Sequence, residues 1–452
     1  MLKLRKLIVL GIVCAAGLSL QAQEIVPSKE QRIYTLSTIW KELEYNFAFP
    51  ENLKKANLDS LYLAYLPKVE AVKDQYEYYR TLSSFLAHFN EAHTRIIVDK
   101  RPDDMPPLMT TNFGDIVVVK NIAQSLSKHI PIGSEILKVN NIPVITFLKD
   151  SIYPYISAAT PHWKLDKSVT EMLYGRPLTE VKLSVRTPKG REQEISLLRN
   201  YYTNGATELL ADTTSVPPLE IKILKGGIGY IHLNTCNGGK LEEINRIFYN
   251  NLNKLLKCRG LIVDMRGNRG GTDEAWYPIV FHLLTDKKFS DKAHWMCRKH
   301  IATYRMYGQS NPEMREYYEN RAMQEIFHSP YENVAPDSLK LNQPVVILSG
   351  QYVGSAAEGF LIMMKNNGRA KIIGEHSVGC VGEPTFIDLP GGYCAMISVK
   401  KCVDIDGTQP NDKGILPDIE VKRDYRAYLQ NKDHQLERAI EELGVLIGKN
   451  NH

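Results

Sequence analysis

The stretch GLIVDMRGNRGGTDEAW, residues 260–276, decides the fold class because it joins a continuous apolar run to a glycine-rich loop. An unbroken apolar run of this length is typical of a strand that is buried on both faces. Two other runs of the same kind, IGYIHL at 228–233 and PVVILS at 344–349, lie on either side of it, with helical spacing between. Strands that alternate with helices predict an α/β core or one built on a mixed sheet.

The chain before this core divides into two parts. From about Ser28 to Asn90, apolar residues recur at helical spacing, which predicts an N-terminal helical module. Between about Leu108 and Arg199, short strand patterns are separated by Gly, Pro and Asn, as in GSEILKVNNIPV at 133–144. The turn Pro188-Lys189-Gly190 lies between two alternating runs and predicts a hairpin.

Within the core, the segment from Lys287 to about Leu341 has no clear strand pattern. It is rich in Tyr, Glu, Arg and His. We interpret it as a helical insertion that covers the core.

The N-terminus predicts export. Basic residues within the first six positions precede an apolar run at 7–20, which is the pattern of a secretory signal peptide cleaved after Ala22. The run is short for a membrane span of about 20 residues. Val13 stands where a lipoprotein signal at Cys14 would have a small residue. We therefore expect a periplasmic or extracellular protein with no stable membrane span after cleavage.

Composition limits the function classes. With 452 residues, 43% of them hydrophobic, the chain is too long for one core and predicts two or three domains. Its formal net charge of +5 falls to +2 without the signal, which does not indicate a nucleic-acid partner. No HExxH or comparable ligand spacing supports a metal, and no cofactor is expected. The six cysteines beyond the signal are either isolated thiols or form one or two disulfides.

Ser355, in VGSAAEGF, is the candidate nucleophile. It lies between the strand PVVILS and a helical pattern, and free N–H groups at a helix start favour the negative charge of an oxyanion. A serine at this position is more commonly only an N-cap, and the residues after it do not supply the glycine of a G-x-S-x-G elbow. The glycine-rich loop favours an anion site nearby. A phosphate site would need a P-loop or G-x-G-x-x-G motif, and neither is present.

Four motifs in order identify a family resemblance. They are D-x-R-G-N-x-G-G at 264–271, S-A-x-E at 355–358, GRAKIIGEHSVG at 368–379 and GILPDIEV at 414–421. Over about Glu30 to Lys422 the chain resembles the C-terminal processing peptidases, a family that includes tail-specific and tricorn-like serine proteases. The resemblance implies an α/β (α+β) multidomain fold with a crotonase-like core, a spiral of ββα units. It also implies a PDZ-like domain, although Ser134 and Asn141 depart from the usual Asp and Gly of that signature.

The domains expected from pattern and resemblance together are a signal peptide at 1–22, a helical module carrying the catalytic histidine at 23–100, a PDZ-like domain at 105–205, a crotonase-like peptidase core at 215–425 and a C-terminal helix or tail at 426–452.

The resemblance also assigns roles at the site. Ser355 matches the family's nucleophile, and the oxyanion hole would combine the N–H of Ala356 with that of Gly270 or Gly271. The lysine base of processing peptidases stands 25 residues after the serine, where this chain has Cys380. That dyad is therefore absent here.

A histidine replaces the lysine in the tricorn-like branch, which this chain resembles more closely. The branch's D-G-H-T is matched by EAHT at 91–94, which makes His93 the candidate base. His376, 21 residues after Ser355, is the rival.

A third residue should orient the imidazole. Tricorn-like members carry a glutamate just before the closing motif, but DGTQPNDKGILPD at 406–418 contains none. Asp412 is the nearest carboxylate there, and Gln409 or Asn411 could orient the ring without charge. Glu358 is expected to brace the glycine-rich loop through Arg266.

These assignments predict an exported serine endopeptidase that acts on proteins or peptides, with the PDZ-like domain binding a substrate C-terminus as an added strand. The alternatives are a non-catalytic peptide-binding protein on the same scaffold, suggested by Cys380, and a crotonase-like acyl hydrolase.

Overall fold

A computed structural model describes residues 26–205, 209 and 216–449. The predicted signal peptide at 1–22 lies outside the described residues. The helices are α1 (Lys29–Asn46), α2 (Pro50–Ala56), α3 (Leu58–Ala71), α4 (Gln75–Ala87), α5 (Val144–Phe147), α6 (Pro161–Glu171), α7 (Leu241–Leu255), α8 (Tyr277–Leu283), α9 (Ala302–Tyr307), α10 (Arg315–Tyr318), α11 (Ala356–Asn366), α12 (Pro410–Lys413), α13 (Tyr425–Leu429) and α14 (His434–Lys449).

The strands are β1 (Arg95–Val98), β2 (Leu108–Phe113), β3 (Ile116–Ile122), β4 (Glu135–Val139), β5 (Ile142–Pro143), β6 (Glu180–Arg186), β7 (Glu192–Leu198), β8 (Leu219–Leu224), β9 (Ile228–Leu233), β10 (Gly260–Asp264), β11 (Lys288–Phe289), β12 (His294–Arg298), β13 (Met323–Ile326), β14 (Tyr331–Glu332), β15 (Val345–Ser349), β16 (Lys371–Gly374), β17 (Pro384–Leu389), β18 (Tyr393–Ser398), β19 (Lys400–Val403) and β20 (Ile419–Glu420). The chain is thus a mixed α/β protein with several sheets.

The N-terminal helices form as their apolar spacing predicts. α1 starts with a capping box in which Ser28 and Gln31 bond each other's backbone, and its stripe of Leu36, Ile39 and Leu43 is fully buried. The module is not separate from the core, because β1 pairs antiparallel with β18, as does β17. This three-stranded sheet places the turn at 91–94, just before β1, against the core.

A second sheet of order β2-β3-β4-β6-β7 spans the strand-rich region. The predicted hairpin forms between β6 and β7, with Glu180 opposite Leu198. Asn140 and Asn141 both have positive φ, 49° and 69°, which is the geometry of a two-residue turn between β4 and β5. The sheet and α6 enclose an apolar cluster of their own.

The core sheet has the order β20-β16-β15-β10-β9-β8. Its neighbours are parallel except for β8, which is antiparallel to β9. β10 and β15 are buried at every position, because helices cover both faces. α7, α8 and α11 pack on one face and α14 on the other, so the C-terminal helix belongs to the core.

The prediction of a helical insertion at 287–341 was wrong. The segment contains two short helices, the strand pair β11–β14, and strands β12 and β13, which pair with each other while β12 also pairs with β19. Its strands are short and mostly only partly buried, so they lack the clear apolar alternation that marks a strand in sequence.

Two further observations bear on the predictions. Within the described ranges, no helix is both long and apolar enough to cross a membrane. The six cysteines in those ranges are free thiols.

Candidate active site

The sheet brings two loops together at one edge. β10 and β15 are parallel neighbours, with Asp264 opposite Leu348. Because the carboxyl ends of parallel strands lie on the same side of a sheet, the loops that follow them meet. The N–H of Gly354 donates to the carbonyl of Asn268 at 3.1 Å, which joins the serine turn to the glycine-rich loop.

The glycine-rich loop is held by buried polar groups. The guanidinium of Arg266 donates to Asp264 at 2.6–3.1 Å and continues to Asp433 at 2.7 and 2.8 Å. These carboxylates raise the pKa of Arg266 despite its burial. Fully buried Asn268 accepts the N–H of Gly270 through Oδ1 at 3.0 Å. The motif D-x-R-G-N-x-G therefore fixes the loop's shape.

Ser355 has a strained backbone. It occupies the position before α11 with φ 56° and ψ −127°, whereas an ordinary N-cap residue has extended dihedrals. A non-glycine residue in such a conformation costs about 1–3 kcal/mol and persists only where its surroundings impose it. Here its N–H and its carbonyl are both bonded, to the side chain and backbone of Glu358.

The glycine-rich loop packs directly on the serine. A β-carbon on Gly270 would lie 2.6 Å from Cβ of Ser355, and one on Gly271 would lie 2.0 Å from the carbonyl oxygen of Cys236. The Gly270 N–H is already occupied by Asn268. Among the described residues we find no acceptor for the N–H of Gly271 or of Ala356. The geometry therefore favours Gly271 over Gly270 as an oxyanion donor.

Glu358 is fully buried and joins the serine to a second loop. Its carboxylate accepts hydrogen bonds from the N–H groups of Ser355, Gly379 and Cys380 at 2.7–3.0 Å and from the hydroxyl of Ser377 at 2.5 Å. The pKa of Glu358 is raised above its usual value, because burial outweighs the four donors, which lower it.

The expected link from Glu358 to Arg266 was wrong. Glu358 braces the loop at 377–380 because that loop supplies its donors. Arg266 is turned toward Asp264 and Asp433.

A cavity of about 510 Å³ opens beside Ser355, with Ala356 and Gly271 in its wall. Further lining residues, all missed by sequence reasoning, are Asp273, Glu274, Asp291, Trp295, Tyr331, Glu383 and Lys400. Burial and the adjacent Glu274 raise the pKa of Asp273 to about 6. Most of these residues lie on the insertion and its partner strand β19, outside any motif, so only the tertiary structure reveals them.

His93 lies in the turn between α4 and β1. Its Nδ1 is buried and has no hydrogen-bond partner, while the residue as a whole is partly exposed. Burial lowers the pKa of His93, the negative charge of Glu91 raises it, and Arg95 lowers it. The net lowering favours a neutral imidazole, which is the form that a general base needs. Within the described chain, no hydrogen bond joins His93 to Ser355.

Cys380 packs against the turn that carries Ser355. Its Sγ is 3.1 Å from where a β-carbon on Gly354 would be, and Ala92 belongs to the same apolar cluster. Burial strongly raises the pKa of the Cys380 thiol, and the charges of Glu358 and Glu91 raise it further. The residue at the lysine position is therefore a neutral thiol that cannot serve as a base.

The other candidates lie elsewhere. The ring of His376 is edge-on to that of His162, 5.6 Å between centroids, and its Nδ1 donates to the carbonyl of Lys413 at 3.3 Å. Asp412 is exposed on α12, which argues against the role of third member. Its neighbour Asn411 is buried instead, with both amide atoms lacking partners. The turn of α12 directs one residue inward and the next outward.

Comparison with known proteins identifies the core. Residues 227–421 match the family model for peptidase family S41. The chain is 24% identical over 365 residues to a carboxyl-terminal-processing protease of a Picosynechococcus strain, covering 79% of this chain and 76% of that protein. It is also 26% identical over 223 residues to the tricorn protease of Thermoplasma acidophilum, covering 48% of this chain and 17% of that protein.

Among solved structures, mature CPAF complexed with lactacystin superposes with a TM-score of 0.69 at 14% identity, over 93% of this chain and 99% of that one. At this identity the likeness supports the fold alone. Because the S41 match covers strands β9, β10, β15, β16 and β20, both loops and the S-A-x-E motif, residues 227–421 are similar to peptidase family S41, and the chain is a serine-type peptidase.

Proposed function

We propose that this protein is an exported serine endopeptidase in which Ser355 attacks the scissile carbonyl and His93 is the general base. The observation that carries the proposal is the strained Ser355 beside two N–H groups without acceptors, those of Ala356 and Gly271. Ser355, Ala356 and Gly271 all lie in the wall of one cavity. A carbonyl oxygen placed between the two donors would be stabilised as it becomes an oxyanion.

The reaction proceeds through an acyl-enzyme. The hydroxyl of Ser355 loses its proton to His93 as it bonds to the carbonyl carbon, and the imidazolium returns that proton to the leaving amine. Water then repeats the sequence and releases the acid. The partial exposure of His93 and its lowered pKa are consistent with this cycle near neutral pH.

The finer assignments rest on the same proposal. The sheet at 105–205 acts as a PDZ-like domain, whose edge strands β2 and β7 could each pair with an extended substrate segment. The core at 215–425 acts as a crotonase-like unit. Export follows from the signal pattern, and the substrates are proteins or peptides outside the cytoplasm.

A fluorophosphonate probe tests the nucleophile and the base together. The wild type should take up one equivalent, Ser355→Ala none, and His93→Ala at least about 100-fold more slowly. His376→Ala is the matched control and should label like the wild type. Labelling that survives Ser355→Ala, or a loss confined to His376→Ala, would overturn the corresponding assignment.

A peptide pair tests the substrate class. An unstructured peptide with a free C-terminal carboxylate and its C-terminal amide should both be cut at internal bonds. The free acid should be preferred if the PDZ-like domain binds it. Hydrolysis of simple esters without any peptide cleavage would favour the acyl-hydrolase alternative.

A further inference from the structure

The buried turn at 91–94 holds two polar atoms for which the described residues supply no hydrogen-bond partner. Oε1 of Glu91 and Nδ1 of His93 are both buried without a hydrogen-bond partner. Burying such atoms unpaired costs about 1–3 kcal/mol each, so a pair of them two residues apart requires an explanation.

The carboxylate of Glu91 is fixed by its other oxygen. Oε2 accepts both the N–H and the hydroxyl of Thr94 at 2.8 Å, and the same hydroxyl accepts the N–H of Ser398 on β18 at 3.2 Å. Glu91 is 1% exposed, so water does not compete for Oε1. The carboxylate therefore has one oxygen committed to the turn and one available.

We propose that Glu91 is the positioning carboxylate of the catalytic histidine, with Oε1 accepting a hydrogen bond from the Nδ1–H group of His93 when the site is occupied. This inference rests on the proposed function and supplies the third member that the closing motif lacks. The donor and acceptor are complementary, since neutral imidazole has one N–H and an ionised carboxylate only accepts. Fixing the proton on Nδ1 leaves Nε2 as the basic nitrogen for Ser355.

The electrostatics of the site agree with this arrangement. Glu91 raises the pKa of His93, whereas burial and Arg95 lower it. Its charge also reaches the facing loop, where it helps to keep the thiol of Cys380 neutral. The charge of Glu91 therefore raises the pKa of both His93 on the turn and Cys380 on the facing loop.

Asn411 is the competing residue. It is buried, and both atoms of its amide lack partners. An amide could orient the ring but would not stabilise the imidazolium that forms during acylation. No interaction between Asn411 and His93 is found among the described residues, whereas the negative charge of Glu91 raises the pKa of His93.

The test measures fluorophosphonate labelling rate against pH for Glu91→Gln, Asn411→Ala and the exposed control Asp412→Asn. Glu91→Gln keeps an acceptor for Thr94 but removes the charge. It should slow labelling by about 10²–10⁴-fold and move the acidic limb of the profile to lower pH. Asn411→Ala and Asp412→Asn should keep the wild-type limb. An unchanged limb and rate in Glu91→Gln, or the large loss in Asn411→Ala instead, would overturn the inference while leaving Ser355 and His93 in place.

A measurement on the wild-type protein tests the role of Glu91 even if the Glu91→Gln variant fails to fold. With ¹⁵N-labelled histidine, the His93 signal, assigned by its loss in His93→Ala, should show the proton on Nδ1 above its pKa. A proton on Nε2 would overturn the role of Glu91 whether or not the probe labels Ser355.

Discussion

The backbone N–H of Ser355 donates to Oε2 of Glu358 at 2.9 Å, so a buried carboxyl group three residues later holds the serine's own peptide unit. The same carboxylate binds Ser377, Gly379 and Cys380. One side chain thereby connects the start of α11 to the loop after β16. A fully satisfied buried polar group of this kind is rigid, and its loss leaves several donors without partners.

Replacing Glu358 with Ala should therefore lower the free energy of unfolding by about 3–5 kcal/mol, because four hydrogen-bond donors lose their acceptor at a fully buried position. Urea unfolding checks this. Glu332→Ala is the control, since Glu332 is exposed and pairs only with Lys288 on the surface; it should cost under about 1 kcal/mol. Equal losses in the two variants would contradict the role of Glu358.

Gly271→Ala should abolish probe labelling, because the new β-carbon would lie 2.0 Å from the carbonyl of Cys236 and the loop would have to move. Gly267→Ala is a matched control from the same loop. Gly267 also has positive φ, 84°, but open space surrounds its β-carbon position. Gly267→Ala should lose only about 1–2 kcal/mol of folding free energy through backbone strain, and Ser355 should still react with the probe. Labelling of Gly271→Ala at the control's rate would rule out the tight packing.

Arg266→Ala should destabilise the fold by about 3–5 kcal/mol, since fully buried Asp264 would lose its cation. Thermal and urea unfolding measure the loss. Arg315→Ala removes an arginine from an exposed helical pair with Glu319 and should cost under about 1 kcal/mol. If both changes cost the same, Arg266 does not hold the loop.

Asp166→Asn should change the pH dependence of stability. Burial raises the pKa of Asp166 to about 6, and Asn112 donates to it at 2.7 Å. A carboxyl with a raised pKa stabilises the fold while protonated, and this contribution is lost as pH rises from about 4 through 6. The variant should therefore gain stability over the wild type at pH 7, by up to about 3 kcal/mol, but not at pH 4. An exposed control, Asp115→Asn, should show no such divergence, and equal behaviour of the two variants would contradict the prediction.

Sequence patterns predicted the elements that carry strong periodicity. The runs at 228–233 and 344–349 became β9 and β15, which lie on either side of β10 in the core sheet, and the stripe containing Leu36 became the buried face of α1. These predictions succeed because burial in the core imposes the pattern of apolar residues along each strand or helix. The short, partly buried strands of the 287–341 insertion were not predicted, because burial imposes little spacing on them and β12 pairs with β19, a partner far along the chain.

At the candidate site, motif order pointed to Ser355 but did not predict its backbone conformation. Positive φ at a serine has no sequence signature, because the surrounding hydrogen bonds impose it. The tertiary structure likewise determines which loop Glu358 contacts. It also determines that Asn411, rather than Asp412, faces inward. Each outcome depends on the direction in which one side chain faces. On a short turn, moving along the chain by a single residue reverses that direction.

The pairing of β1 with β18 has a consequence for how the molecule matures. The strand that follows His93 is made early, yet its partner hairpin at 384–398 is among the last parts of the core to leave the ribosome. A nascent or half-folded chain can thus display Ser355 without the imidazole proposed to activate it. The proposed Ser355–His93 pair can therefore form only after β1 and β18 have come together.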